Sequence, residues 1–157
     1  MKKIIATAIV AASLVSGASF AYDLTIKNQS NYEIGVYNGA TGYDNTVIPD
    51  ATKTFGLSDG NNFQIYYNHP WGTGVVKDYL AGVARDGYSN NISITLQQPG
   101  QADVTWQADN VTVGDKNFGS TELKHWPDAP SLSDCINQSW GTTCTNSGTT
   151  ASIVLTN

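Results

Sequence analysis

Hydrophobic and polar residues alternate in short runs along most of this chain. In DLTIKN, Leu24 and Ile26 fall on one side, Thr25 and Lys27 on the other. YEIGVYN repeats the pattern, with Tyr32, Ile34, Val36 and Asn38 sharing a face. KTFGLS adds Phe55 and Leu57, FQIYYN adds Phe63, Ile65 and Tyr67, and NISITLQ adds Ile92, Ile94 and Leu96. DVTWQ, NVTV and SIVLTN complete the set. A period of two in β-branched and aromatic residues marks half-buried strands. Turn-forming clusters separate them: NQSN, NGATG, PDAT, SDGNN, QQPGQ and GDKNFG. Short strands recurring at roughly 8–12 residues predict a two-sheet packing. The expected fold is mainly β, a single antiparallel β-sandwich with at most one short helix.

Two segments depart from this rhythm. In TGVVKDYLAGVARDG, Val76, Tyr79, Leu80 and Val83 lie at helical spacing, with Thr73 as a possible cap and Gly87 as a stop. Gly82 weakens a helix, so the segment reads either as a short helix or as an irregular strand. From Phe118 to Thr150 periodicity is poor, and Pro127, Pro130 and two cysteines predict a long ordered loop or crossover.

The first 21 residues change the picture of where the protein works. Lys2 and Lys3 precede an apolar run from Ile4 to Val15, and Ser19-Phe20-Ala21 supplies small residues at a cleavage site. This is the pattern of a secretory signal peptide, bacterial in style, and too short for a membrane span. The expected organisation is a leader over residues 1–21 and a β-sandwich over 22–157, secreted or periplasmic after cleavage. The whole chain has 8 Lys and Arg against 13 Asp and Glu, a net charge of −5. Without Lys2 and Lys3 the balance is 6 against 13, or −7. That sign repels phosphate backbones, so no nucleic-acid partner is expected. Membrane contact, if present, does not run through basic residues.

Cys135 and Cys144, the two cysteines of the chain, bracket CINQSWGTTC. An even count in an exported chain predicts a disulfide, here closing a short polar loop. Loop-closure entropy makes such a bridge worth about 2–3 kcal/mol. The spacing fits neither a redox C-x-x-C nor a zinc site.

The runs LTIKNQSNYEIGVYN and VIPDATKTFGLSDGNNFQIYY read as strand, Asn-x-Ser turn and further strands. This opening resembles secreted β-sandwich groups, the aegerolysin-type cytolysins and the thaumatin-like proteins. In aegerolysins a strand ends in an aromatic pair before a Pro-Trp-Gly tip. Tyr66, Tyr67, Pro70, Trp71 and Gly72 are similar here. The chain departs in having His69 where a Cys commonly precedes that Pro-Trp, in continuing far beyond the tip, and in having one cysteine pair. The resemblance covers about the first third after the leader. It implies a secreted β-sandwich and adds a membrane-active cytolysin or toxin as an alternative function.

Motifs for nucleophilic, metal-dependent and nucleotide chemistry are absent: no G-x-S-x-G, H-E-x-x-H, P-loop or G-x-G-x-x-G follows a strand. Acidic residues such as Asp50, Asp59, Asp78 and Asp86 sit singly. His69 and His125, with Asp128 nearby, would coordinate zinc or copper only if the fold brought them together. No enzyme activity and no cofactor are expected; a hydrolase using a His is the second alternative. What remains is aromatic residues beside turns. Such rings stack on sugars or sit in a headgroup layer. The candidate ligand-binding residues are His69, Trp71, Tyr67, Trp126 and His125. Trp106, in an alternating strand, reads as core. The expected function is an exported binding protein recognising a surface glycan, lipid or protein through loop aromatics. An envelope adhesion subunit is a further possibility.

Overall fold

The computed structural model describes residues 22–57, 62–71, 74–100, 104–124 and 130–157. The expected leader, Met1–Ala21, lies outside the described residues, as do the side chains of 69–71 and 74–76. Among the described residues there is no helix; twelve strands form two sheets. A five-stranded sheet has the order β4 (Thr52–Gly56), β1 (Asp23–Asn28), β12 (Thr150–Thr156), β8 (Trp106–Val113) and β9 (Lys116–Leu123). A seven-stranded sheet has the order β10 (Ile136–Gln138), β11 (Gly141–Ser147), β7 (Asn91–Leu96), β6 (Gly74–Asp86), β5 (Asn62–Trp71), β2 (Ile34–Asn38) and β3 (Tyr43–Val47). The sandwich expected from the alternation is therefore present. One strand pair departs from the antiparallel expectation: β1 and β12 run parallel, with Asp23 opposite Thr150 and Asn28 opposite Leu155.

The alternating residues do fill the space between the sheets. Leu24, Ile26, Ile34, Val36, Ile65, Ile92, Ile94, Leu96, Ile153 and Leu155 are fully buried. At one end, Tyr67 of β5 packs on Trp106 of β8 with ring centroids 4.9 Å apart. Tyr32 covers both rings at 5.9 Å. Trp106 is thus a core residue, as its strand position predicts. Burial pushes the Tyr67 phenol up to about 12, and the adjacent Asp78 carboxylate adds to the shift, outweighing a hydrogen bond from Trp106.

The segment with helical spacing is a strand, β6, and the reason is a bulge. Ile65 pairs with Ala81, but the next residue, Tyr66, pairs with Tyr79. Leu80 is the extra residue, and Leu80 and Ala81 both point into the core. The phase of alternation therefore flips inside the strand. Inward positions read 78, 80, 81 and 83, which breaks the period of two, and Tyr79, one of the residues at helical spacing, faces outward.

The segment 118–150 is also more regular than its sequence indicates. It holds most of β9 and the hairpin of β10 and β11. Thr142, at 0% exposure, occupies a core position where a strand ordinarily shows an aliphatic residue. Its hydroxyl is satisfied by the Pro130 carbonyl and by Asn137.

The crossover from β1 to β2 carries the chain from one sheet to the other through NQSN. Its centre is Asn28, fully buried. The side-chain amide donates to the carbonyls of Tyr32 at 2.7 Å and Val47 at 2.8 Å. Its oxygen accepts from the backbone N–H of Ser30 at 3.0 Å and the Ser30 hydroxyl at 2.6 Å. Asn28→Ala leaves the buried Val47 carbonyl without this donor, while the Tyr32 carbonyl keeps the Ser30 hydroxyl. The expected cost is roughly 1–3 kcal/mol, the penalty for a buried unsatisfied group. Chemical denaturation followed by tryptophan fluorescence measures it, and a loss below about 1 kcal/mol contradicts this role for Asn28.

Candidate functional site

The hairpin of β5 and β6 outruns its neighbours. β2 pairs with β5 only as far as Tyr67, and β7 pairs with β6 only as far as Ala81. Residues 68–71 and 74–77 pair with each other alone, with His69 opposite Val76 and Trp71 opposite Gly74. They form a two-stranded arm roughly 13 Å long, at about 3.3 Å per residue. Of the sequence candidates, His69 and Trp71 thus stand on this arm. His125 and Trp126 lie outside the described residues. Tyr67, at 1% exposure, is out of reach of any ligand; it is a core residue of the Tyr32–Trp106 cluster rather than a binding residue. Cys135 and Cys144 form the expected disulfide, with Cα atoms 4.5 Å apart.

The base of the arm is braced on the outer face of the seven-stranded sheet. Tyr66 lies flat across Gly35, where a Cβ would collide with its ring. Its phenol donates to Asp44 on β3 at 2.6 Å. Lys77, from the arm, reaches Asp44 at 3.1 Å and the Tyr66 hydroxyl at 2.9 Å, and sits 4.2 Å above the Tyr66 ring. The Tyr66 hydrogen bond, then Lys77, holds the Asp44 carboxyl below the usual carboxylate range. Burial and the hydrogen bond to Asp44 raise the Tyr66 phenol.

Beyond this brace the same face opens into a shallow trough of about 220 Å³. Gly82 and Ala84 of β6 make its floor. Asn62 and Gln64 of β5 line one side, Thr95 and Gln97 the other, and Trp140 stands at its edge. No lining residue carries a charge. Neighbouring positions continue the hydroxyl surface: Thr95 pairs with Thr143 at 3.0 Å and Ser93 with Thr145 at 2.9 Å. Trp140 is 54% exposed. It sits in the turn between β10 and β11, the hairpin that the disulfide closes. Gly141, next to it, approaches the Leu96 carbonyl so closely that a Cβ would overlap the oxygen. The turn is thereby seated against the end of β7.

Amides offer paired donors and acceptors, hydroxyls offer both, and the indole offers an apolar face. The trough is suited to a neutral polyhydroxylated ring and has nothing with which to pair an ion. The sequence signal for Trp140 was its place between two cysteines. Trp71 and Trp126 are the sequence candidates because they lie beside Pro and His.

A larger cavity, about 540 Å³, lies between β3 and β4, the edge strands of the two sheets. Thr46, Val47, Ile48, Ala51 and Lys53 line it. It is an open seam with no aromatic wall. Among the described residues no three His, Cys, Asp or Glu side chains gather as metal ligands.

No family model matches this chain, and neither does any curated protein. Among solved structures it is similar to the crystal structure of the protein elicitor MoHrip2 from Magnaporthe oryzae. Identity is 12%, covering 87% of this chain and 98% of that chain, with a TM-score of 0.46. A likeness at that level transfers no function.

The brace carries a pH dependence with a definite sign. Asp44 is more acidic in the fold than in the unfolded chain, whose Asp titrates near about 3.9. Its contribution is present above that value and lost as pH falls through the lowered one. Lys77 and Asp44 are about half exposed, at 43% and 51%, so the contribution is small, below about 1 kcal/mol. Wild type is expected to exceed Asp44→Asn in stability at pH 6, with the gap closing below pH 4 in paired denaturant titrations. A gap independent of pH contradicts an ionised Asp44 in the brace.

Proposed function

We propose that this chain is an exported, non-enzymatic binding protein that takes an uncharged glycan on the outer face of its seven-stranded sheet. The observation that carries the reading is the trough beside Trp140: one exposed indole, four amide or hydroxyl side chains and a floor of Gly82 and Ala84, with no charge among them. The chain is acidic overall, at −5. An uncharged patch on an acidic protein favours a neutral ligand, because a polyanion is repelled by the remaining surface. On the same face, Lys77 is paired with Asp44. A disulfide-closed hairpin supports an oxidising compartment, in keeping with the leader-like first 21 residues. The small, open trough covers only part of a ligand, in contrast to the roughly 300–1,000 Å³ of enclosed small-molecule pockets. That favours a surface polysaccharide over a free metabolite.

Affinity electrophoresis against neutral glucans, xylan, mannan and soluble chitin derivatives, with pectate as the charged control, tests the reading. Retardation by at least one neutral polymer and none by pectate is expected. Trp140→Ala is expected to weaken that binding at least tenfold, or about 1.4 kcal/mol. Loss on Trp71→Ala with Trp140→Ala silent would move binding from the sheet face to the arm. No retardation by any neutral polymer would sink the reading.

The arm favours a second reading. A hairpin that leaves its sheet and ends in Pro70-Trp71 resembles an aegerolysin tip, and an aromatic tip suits a headgroup layer. This membrane-active alternative predicts calcein release from vesicles of some composition among phosphatidylcholine, sterol-rich and sphingomyelin mixtures. Intact vesicles across all three count against it.

A further inference from the structure

We infer that the ligand is a linear neutral glycan at least three units long, held between two aromatic platforms, Trp140 and Tyr79. This rests on the neutral-glycan reading of the trough. Tyr79 is not a trough residue and has no assigned role, yet it is 41% exposed. It owes its position to the bulge in β6. Outward positions after the bulge are Gly82 and Ala84, opposite Gln64 and Asn62. With regular pairing in place of the bulge, Tyr66 would face Leu80 and Tyr79 would stand opposite Tyr67, towards the core. The bulge therefore turns an apolar Leu inward and sets a tyrosine on the ligand face. Tyr79 and Tyr66 pack in a T-shaped pair, with centroids 6.0 Å apart and planes at 68°. Tyr66 is in turn fixed on Gly35 and Asp44. A ring anchored on a fixed neighbour, with part of its surface open, is a preorganised stacking platform.

The register places the two rings at one level. The Gln97 N–H donates to the Leu80 carbonyl at 3.0 Å, so Gln97 stands beside the bulge. Thr142 pairs with Leu96, so the turn at Trp140 and Gly141 lies at the Gln97 end of β7. Across the sheet the order is Tyr79 on β6, Gln97 just past the end of β7, and Trp140 beyond it. Two inter-strand spacings separate the backbone positions of Tyr79 and Trp140, roughly 10 Å. One sugar ring cannot cover both. A chain with a ring on each platform has at least one unit between them, over the trough and within reach of Gln97. Tyr79 is a specificity-determining residue in this scheme: it reads ligand length.

The test is a length series. Oligosaccharide ladders of one to six units from cellulose, laminarin, xylan and chitin are titrated against wild type, Tyr79→Ala, Tyr79→Phe and Trp140→Ala, using tryptophan fluorescence and calorimetry. For at least one ladder, wild-type affinity is expected to rise at least fivefold between two and four units. Tyr79→Ala is expected to flatten that rise, lowering the four-unit affinity at least fivefold more than the two-unit affinity. Tyr79→Phe, which keeps the ring and its packing on Tyr66, is expected to restore it. Trp140→Ala is expected to weaken every length. A full length dependence in Tyr79→Ala overturns this inference and leaves the glycan reading standing. Absence of binding by wild type to every ladder and polymer overturns both. Unfolding midpoints of the variants separate lost packing from a lost platform. A two-unit affinity that falls in step with the midpoint assigns Tyr79 a structural role and overturns the inference.

Discussion

The amide of Asn28 decides how the two sheets are joined. A sandwich needs its chain to leave one sheet and enter the other, and that crossing strips carbonyls of their ladder partners. Asn28 supplies donors to Tyr32 and Val47 and an acceptor for Ser30, all within a buried corner. Val47 ends β3, so the same side chain fixes the far edge of the seven-stranded sheet. The position of β3 then sets Asp44, and Asp44 sets Tyr66. A buried hydrogen-bond set of this kind specifies geometry strongly because every alternative leaves a polar group dry.

Much of the fold was legible in the sequence. Strands with aliphatic residues at every second position, such as β1, β7 and β12, announce themselves, because one face is dry and the other wet. The parts that stayed hidden have physical causes. β6 was obscured by one inserted residue that reverses its phase. β11 was obscured because Thr142 and Cys144 take buried positions usual for aliphatic residues, with the Thr142 hydroxyl satisfied locally, and β10 because it is only three residues with its Ile136 exposed. Strand pairing across the ends of the chain has no local signature at all.

The site was less legible than the fold. Aromatic residues in a sequence look alike, and only the register separates them. Tyr66 and Tyr67 are neighbours, yet one braces the outer face and the other lies in the core. Trp140 stands between the two cysteines in the sequence, but its value comes from Gly82 and Ala84 in the same trough, where a hydrogen and a methyl group leave the floor open. The uncharged surface they expose emerges from alternation over four strands, β5, β6, β7 and β11.

The parallel pairing of β1 with β12 has a consequence for how the molecule comes into being. β12 lies between β1 and β8, in the middle of its sheet. The earliest strand of the sandwich therefore waits for the last one. Until β12 arrives, β1 and β8 both present unpaired edges, and such edges recruit other chains. Closing a loop of nearly the whole sandwich also makes folding slow relative to domains with local contacts. Until β12 docks, the sandwich is consequently at its most vulnerable, because two open edges of one sheet are then available to a second copy of the chain.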